Sequence, residues 1–349
     1  MIVDDSAVIR LMLSHGLASE GEIEIVGTAP DPFFARDKIV KLAPDVVILD
    51  LQMPRMDGLS FLKKLMSFHP LPVIVFSSIA EEGTRTALEA LDLGALFVVP
   101  KPSCDQNTTE LMAQLRETVK EAALAKLRPA PVTEALGAEE RVYRAVDRQC
   151  AQKVIVMGAS TGGTEALKTV LSALPAGGPA VLAVIHMPVG FTRKFAERLS
   201  TFCKMPVREA VDGEVVVPAQ VLIARGDRHL GLHRSGQALI AQVQEGPLIC
   251  RHRPSVEVLF QSAARAAGPD ALGIIMTGMG ADGARGLLAM RDAGAYTIAQ
   301  DENSSIVYGM PREAALLHAA IDILPLNRIA DACVRWFNSK VHALPRMGG

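Results

Sequence analysis

Short apolar runs rich in β-branched residues recur along this chain, and each is followed by a polar or glycine-rich turn and then by a helical pattern. Residues 73–76, 180–185 and 271–275 are such runs. Alternation of strands with helices predicts parallel sheets that are covered by helices on both faces. Because a chain of 349 residues has room for two domains of ordinary size, we expect two doubly wound α/β sheets.

One of the turns carries a serine between two glycines. Residues 158–162 are GASTG, which fits the pattern G-x-S-x-G. The glycines allow a sharp strand-to-helix turn that lifts the Ser160 hydroxyl clear of the sheet, beside the amides of a helix N-terminus. Taken alone, the segment suits three interpretations: a nucleophilic serine, a dinucleotide phosphate loop, and a serine that merely caps the helix.

The end of the next apolar run favours the nucleophile. A dinucleotide site needs an acidic residue about 20 positions after its loop, at the end of the second strand, to bind the ribose hydroxyls. This chain has His186 there, directly after residues 180–185. Parallel strands end at the same edge of a sheet, so we expect His186 to lie beside Ser160 as a general base.

A carboxylate follows a third apolar run. Residues 276–283 are MTGMGADG, directly after residues 271–275. Strand ends of a parallel sheet converge on the crevice where such folds bind ligands, so we expect Ser160, His186 and Asp282 to meet as a catalytic triad. Taken singly, Asp282 also suits a helix cap and His186 a hydrogen-bonded histidine at the sheet edge. Their joint placement favours the triad.

Further motifs in the same order resemble a known family. They are HMPVGFT at 186–192, RHRPSVEVLF at 251–260 and YGMPREA at 308–314. With the Ser160 and Asp282 motifs, they make residues 153 to about 329 similar to the catalytic domain of the chemotaxis protein-glutamate methylesterases, which has a Rossmann-like sheet. The resemblance implies Ser160, His186 and Asp282 as the triad and no cofactor for the esterase reaction. It also implies a backbone amide near Met279 as oxyanion donor, with Thr161 as a neighbouring helper.

Polar residues also end the strand patterns in the first third of the chain. Five strand-and-helix units predict a second doubly wound sheet, with these residues on one edge: Asp4, Asp5, Asp50, Ser77 and Lys101. A lone Asp-Asp pair at such a turn is usually a cap. Gathered carboxylates repel one another, and a hard divalent cation such as Mg²⁺ relieves that repulsion. The sequence therefore predicts a magnesium site that accepts a phosphoryl group.

This set, together with LDLQMPRMDG at 49–58, resembles a response-regulator receiver domain over residues 1 to about 126. The resemblance implies a flavodoxin-like fold with Asp50 as phospho-acceptor. Mg²⁺ would be held by Asp4, Asp5, Asp50 and the backbone carbonyl of Gln52. Ser77 would be the switch hydroxyl, and Lys101 would contact the phosphoryl group.

Two features depart from the receiver pattern. Only Met1, Ile2 and Val3 precede the acidic pair, so we expect the natural protein to begin several residues upstream of Met1. Val98 stands where receivers commonly carry an aromatic residue, with Pro100 just before Lys101. The resemblance therefore does not extend to switching by rotation of an aromatic ring.

Composition narrows the functional classes to which the chain can belong. With 36 basic and 38 acidic residues, the net charge of −2 gives no argument for nucleic-acid or membrane binding. The 5 cysteines are odd in number, scattered and without C-x-x-C spacing, which indicates reduced thiols in a cytoplasm. No apolar run approaches the length of a membrane span. We expect a receiver at 1–126, a linker at 127–152 that is helical near 139–146, and a catalytic domain at 153–349.

Together the two resemblances imply a phosphorylation-activated serine hydrolase that demethylates glutamate methyl esters on chemotaxis receptors. They imply a chemotaxis histidine kinase as phosphodonor and the cytoplasmic helices of methyl-accepting receptors as substrate. We expect a monomer without membrane insertion, and whether receptor glutamines are also deamidated stays open. Two alternatives are a receiver-controlled nucleotide-binding module without esterase activity and a DNA-binding regulator. A DNA-binding regulator would need a basic helix-turn-helix segment after the linker, and the sequence shows none there.

Overall fold

A computed structural model describes residues 1–19, 21–53, 57–77, 81–102, 108–127 and 152–339. Within them the chain forms two compact α/β units. The predicted linker helix at 139–146 lies outside the described residues. No helix in the described ranges has the length and apolar character needed to cross a bilayer.

The N-terminal unit is a five-stranded parallel sheet in the order β2-β1-β3-β4-β5. Its strands are β1 (Ile2–Val3), β2 (Thr28–Ala29), β3 (Val47–Leu49), β4 (Val73–Ser77) and β5 (Phe97–Pro100). Its helices are α1 (Ala7–Ala18), α2 (Pro32–Leu42), α3 (Gly58–Phe68), α4 (Glu81–Asp92) and α5 (Thr108–Ala123). The flavodoxin-like order predicted from the sequence is confirmed, with β1 inside the sheet.

Short polar residues cap the first three helices of this unit. The Ser6 hydroxyl accepts a hydrogen bond from the backbone N–H of Ile9 at the start of α1. Asp31 caps α2 in the same way, and Pro32 occupies the first turn, where a missing N–H costs nothing. Helices α1, α2 and α4 thus begin three or four residues after a strand end, which leaves the intervening polar residues at the carboxyl edge of the sheet.

The C-terminal unit is built on a seven-stranded parallel sheet in the order β14-β13-β12-β6-β7-β9-β8, with β10 and β11 forming a separate antiparallel hairpin. The strands are β6 (Val154–Ala159), β7 (Ala180–Ile185), β8 (Val207–Glu209), β9 (Val221–Ile223), β10 (His229–Ser235), β11 (Ala238–Gln244), β12 (Ala271–Ile275), β13 (Tyr296–Gln300) and β14 (Asp322–Leu324). The helices are α6 (Gly163–Ala173), α7 (Phe191–Ser200), α8 (Val256–Ala266), α9 (Ala284–Asp292), α10 (Met310–Leu316) and α11 (Leu326–Asn338).

Three central strands of this sheet, β6, β7 and β12, are buried along their whole length, as their unbroken apolar runs predict. The chain runs from β6 outward through β7 and later returns to place β12 on the other side of β6. The sheet order therefore reverses between β6 and β12. Ligands bind at such a switch point, beyond the carboxyl ends of the strands.

Candidate active site

Ser160 lies between the end of β6 and the start of α6, at the switch point of the C-terminal sheet. Its backbone N–H donates to the carbonyl of Thr277 over 2.9 Å, and its own carbonyl accepts from Gly163 N over 2.7 Å. Gly162 has a φ of 75°, which an L side chain disfavours, and a Cβ there would lie 2.7 Å from Ile306. The sharp turn predicted from G-x-S-x-G is therefore present.

Thr277 joins the Ser160 turn to the neighbouring loops. Its hydroxyl donates to the carbonyl of Thr161 over 2.8 Å and accepts from Val307 N over 3.0 Å. The backbone N–H of Thr277 donates to the fully buried side chain of Gln300 over 2.8 Å. These bonds fix the turn without using the Ser160 hydroxyl. Sequence analysis assigned no role to Thr277, although it lies in the motif at 276–283, and missed Gln300, which stands in none of the motifs named above.

His186 follows β7, one position beyond the register pair of Ala159 and Ile185. Its backbone N–H donates to the carbonyl of Ala159 over 3.3 Å, which places it beside the residue that precedes Ser160. The His186 Nε2 atom lies 2.8 Å from Asp282 Oδ2, and the two side chains are only 8% and 2% exposed. The structure therefore brings His186 and Asp282 together at the strand end next to Ser160.

Asp282 also caps a helix, although not the helix that follows it in sequence. It accepts hydrogen bonds from the Ser255 hydroxyl over 2.7 Å, from Val256 N over 2.7 Å and from Glu257 N over 3.1 Å, at the start of α8. The cap and the histidine partner, which the sequence treats as alternatives, are the same carboxylate. A helix N-terminus favours a negative charge at this position.

Electrostatics set the proton positions in the His186–Asp282 pair. Burial alone would raise the pKa of Asp282, but the hydrogen bonds from His186, Ser255 and Val256 outweigh it and hold that pKa below its usual range. The ionised carboxylate accepts a proton-bearing nitrogen, so His186 carries its hydrogen on Nε2. His186 Nδ1 is buried and has no hydrogen-bond partner among the described residues. That nitrogen is the one left to accept a proton.

The predicted oxyanion donors lie in the same turns. Met279 follows Gly278, where an added Cβ would lie 2.6 Å from the Ser160 Cβ, so the two turns are in close contact. Thr161 is buried, and its hydroxyl has no hydrogen-bond partner in the part of the chain that the structure describes. A buried polar group without a partner is costly unless a ligand or water supplies one. Thr161 Oγ1 and His186 Nδ1 are both such atoms.

A second histidine, which sequence analysis assigned no role, lies on the first. The rings of His252 and His186 are stacked with centroids 3.6 Å apart and planes 11° from parallel. Burial, followed by the positive charge that His186 can carry, lowers the pKa of His252 to about 3, and Arg251 acts in the same direction. His252 is therefore neutral near pH 7. The motif at 251–260 contains it, but no spacing rule links it to His186.

We expect this half-buried, neutral histidine to make the stability of the C-terminal unit depend on pH. Unfolded, His252 takes up a proton below its ordinary pKa of about 6.5, whereas the folded form resists protonation down to about 3. The unfolded state binds more protons than the folded state in that window, so stability decreases as the pH is lowered through it. Calorimetry should show that His252→Phe raises Tm relative to wild type by about 4 °C more at pH 5 than at pH 7.5. An equal difference at both pH values would contradict this assignment.

The N-terminal unit gathers charged residues at the corresponding edge of its sheet. Asp4 and Asp50 are buried, and together with exposed Asp5 they offer carboxylate oxygens within 4.8 Å of one another. Lys101 Nζ lies 2.9 Å from Asp4 Oδ2 and 2.7 Å from Asp50 Oδ2. Burial raises the pKa of Asp50, and Lys101 offsets that effect in part. The three carboxylates form a set of oxygen ligands that fits a hard divalent cation.

The other predicted residues of this site lie nearby. Gln52 N donates to Asp50 Oδ1 over 3.1 Å. Ser77 is buried, with its hydroxyl 3.3 Å from the carbonyl of Gly83. Sequence analysis missed Arg10, whose guanidinium donates to the carbonyls of Asp4 over 2.7 Å and Asp5 over 2.9 Å. Arg10 lies one turn into α1, close in sequence to the acidic pair, and this spacing is the signal from which the contact could have been predicted.

Each of the two units matches a known protein family. The family model for CheB methylesterase matches residues 155–333, and that for the response regulator receiver domain matches residues 1–116. A protein of Anaeromyxobacter dehalogenans named protein-glutamate methylesterase/protein-glutamine glutaminase 4 is 52% identical over 96% of this chain and 94% of its own. A relative of the same type from Syntrophus aciditrophicus is 48% identical over 96% of this chain and 98% of its own.

A solved structure supports the same assignment for the C-terminal unit. The catalytic domain of the Thermotoga maritima CheB methylesterase is 34% identical, with a TM-score of 0.51, and the match covers 52% of this chain and 97% of that domain. Sequence identity, coverage and fold thus agree. The chain belongs to the CheB methylesterase family, with a response-regulator receiver domain at its N-terminus.

Proposed function

We propose that this protein is a serine hydrolase that removes methyl groups from methyl-esterified glutamate side chains of chemotaxis receptors. The observation that carries the proposal is the His186–Asp282 pair, which lies at a strand end beside the Ser160 turn. The names of the relatives, protein-glutamate methylesterase and protein-glutamine glutaminase, support the choice of substrate. The receptor's cytoplasmic helices, which carry these glutamates, are the proposed binding partner.

We assign each residue of the triad a role that its position supports. Ser160 Oγ attacks the ester carbonyl carbon while His186 Nδ1 takes its proton. Asp282 accepts the Nε2 hydrogen of His186 over 2.8 Å, fixes the tautomer and stabilises the imidazolium. His186 then returns the proton to the leaving oxygen, and methanol departs. Water attacks the acyl-serine with the same base, and glutamate is released.

The tetrahedral intermediate needs donors for its negative oxygen. We assign the backbone amide of Met279 to this role, with the hydroxyl of Thr161 beside it. In support, the Thr161 hydroxyl is buried and has no partner among the described residues, so a substrate oxygen would satisfy it. The same steps with ammonia as leaving group would deamidate a glutamine. The double name of the relatives favours this second activity.

The receiver is proposed to control the esterase through Asp50. A carboxylate oxygen of Asp50 attacks the phosphorus of a phosphohistidine on a chemotaxis histidine kinase, and the imidazole leaves. Asp4, Asp5, Asp50 and the Gln52 carbonyl would hold Mg²⁺, which neutralises charge on the phosphoryl oxygens when bound. Lys101 already donates to Asp50. Once Asp50 is phosphorylated, the Lys101 ammonium would contact the phosphoryl oxygens. Ser77, on the neighbouring strand, is the hydroxyl that would accompany it.

The domain limits follow the same proposal: a receiver at 1–126, a linker at 127–152 and a catalytic domain at 153–349. The phosphodonor and the receptor's cytoplasmic helices favour a cytoplasmic protein, which we propose to be a monomer. Neither DNA nor membrane insertion has a part in the proposed reaction.

Phosphorylation of Asp50 is expected to raise the rate of methanol release. With a small phosphodonor and Mg²⁺, the wild-type rate on methylated receptor membranes should rise about tenfold or more, on the scale of ordinary regulatory coupling. Asp50→Ala should not respond. Asp57→Ala is the matched control, because Asp57 is an exposed carboxylate that only caps α3, and it should respond like wild type. A response of Asp50→Ala equal to wild type would exclude Asp50 as the acceptor.

A further inference from the structure

The stacked pair of histidines restricts the ring that carries the proposed proton transfer. His186 and His252 lie face to face, with centroids 3.6 Å apart and an interplanar angle of 11°. Rotation of the His186 ring about its Cβ–Cγ bond would drive the ring edge into its neighbour, because interior atoms are in van der Waals contact at this spacing. Asp282 holds one edge of the His186 ring, and His252 covers one face.

The loop that presents His252 adopts a conformation that most residues avoid. Ile249 and His252 exchange two backbone hydrogen bonds, of 3.1 and 2.9 Å, across a tight turn. Both central residues of that turn are left-handed, Cys250 with a φ of 50° and Arg251 with a φ of 67°. Such turns ordinarily use glycine or asparagine at these positions. A strained turn persists only where its surroundings determine it, and such turns are concentrated at functional sites.

Contacts on both sides fix this loop to the rest of the unit. Before the turn, His229 Nε2 donates to the carbonyl of Pro247 over 2.8 Å, and Arg253 donates to the carbonyl of Gly246 over 2.5 Å. After the turn, Ser255 Oγ donates to Asp282 over 2.7 Å. One short segment therefore supports His186 twice, through the ring of His252 and through the donors that hold Asp282.

The charge of His252 suits this position. The charged and titratable groups that act on it are His186, Asp282 and Arg251, and burial is the largest influence. During the reaction a positive charge forms on His186. Because the His252 ring is neutral, Asp282 stabilises that charge without opposition from His252. A cation on the face of His186 would oppose that charge.

We propose that His252 is a positioning residue for the esterase reaction, whose flat, neutral ring holds His186 with Nε2 on Asp282 and Nδ1 toward the Ser160 turn. This inference rests on the proposed function and adds His252 to the residues that support the esterase reaction. It makes a specific claim about mechanism: His252 acts by shape, so another flat ring can replace it. It also predicts that kcat changes while KM does not, because His252 orients the base without binding the substrate.

The test compares His252→Ala with His252→Phe in the full-length, phosphodonor-treated protein, with methanol release from receptor membranes as readout. We expect His252→Ala to lower kcat about tenfold with KM changed less than about twofold, and His252→Phe to retain at least half of the wild-type kcat. His233→Ala, an exposed histidine on β10, is the matched control and should match wild type. An unchanged His252→Ala, or a His252→Phe as impaired as His252→Ala, would overturn the proposal. Melting temperatures establish that each variant is folded.

A second readout does not depend on turnover. In Ser160→Ala protein labelled with ¹⁵N-histidine, the His186 Nε2–H bonded to Asp282 should give a sharp downfield proton signal. The signal should persist with His252→Phe and broaden or vanish with His252→Ala; persistence in His252→Ala would overturn the inference. If Ser160→Ala retained esterase activity, the proposed function would fail, yet the signal would still report on the stack. The two failures are therefore distinguishable.

Discussion

Replacing Ser160 with alanine is expected to lower methanol release by about 10⁴-fold or more, because the hydroxyl is the proposed nucleophile and loss of a triad member removes the acyl-enzyme route. Stability should change little. The turn is held by backbone bonds, including the 2.9 Å bond from Ser160 N to Thr277 O, and none of these uses the hydroxyl. The measurement is the rate of methanol release by purified protein, together with the melting temperature.

Ser172→Ala is the matched control for this prediction. Ser172 lies on α6, and its hydroxyl bonds only weakly to the carbonyl of Thr169, at 3.5 Å. The control should keep the wild-type rate. If Ser160→Ala kept more than a few per cent of that rate, Ser160 would be a turn residue and the nucleophile would have to be sought elsewhere.

His186→Gln and Asp282→Asn are expected to differ in stability while both lose activity. Each should lower the rate by about 10³-fold or more, since one removes the base and the other its orienting charge. Asp282→Asn should in addition destabilise the C-terminal unit by about 1–3 kcal/mol, because Asp282 accepts hydrogen bonds from Ser255, Val256 and Glu257 at the start of α8. An asparagine turns one of these acceptors into a donor.

Denaturant unfolding and methanol release, measured on the same preparations, separate these effects. His186→Gln should keep a stability close to that of wild type while losing activity. Full activity with reduced stability in Asp282→Asn would show that Asp282 is only a helix cap. The structure argues against that outcome, since His186 Nε2 lies 2.8 Å from Asp282 Oδ2 in a buried site.

The sequence was sufficient to predict the strand ends that form the site, because buried parallel strands are continuous apolar runs and their polar terminators meet at one edge. His186 and Asp282 are found together for this reason, although they are 96 positions apart. The order of the N-terminal sheet was predicted from the resemblance to receiver domains. The length of β2 (Thr28–Ala29) has no local signal, because it depends on the partner strand. It pairs with β1 through only two register pairs, and a ladder is no longer than its shorter partner.

Other features had no local signal. The capping of α8 by Asp282 joins residues up to 27 positions apart through a carboxylate that precedes a different helix, so no capping rule finds it. The stack of His252 on His186 depends on a turn with two left-handed residues, Cys250 and Arg251, which carries none of the usual glycine or asparagine. Gln300 reaches Thr277 N only because β12 and β13 are adjacent. Tertiary packing determines all three.

The most direct test of the central claim is methanol release from receptor membranes whose glutamates carry isotopically labelled methyl groups, with and without a small phosphodonor. We expect the wild-type protein to convert the label to methanol and to leave glutamate at the same positions, faster when Asp50 is phosphorylated. Membranes incubated with Ser160→Ala should keep their label. Absence of labelled methanol with the phosphorylated wild-type protein would contradict the assignment of this chain as a receptor methylesterase.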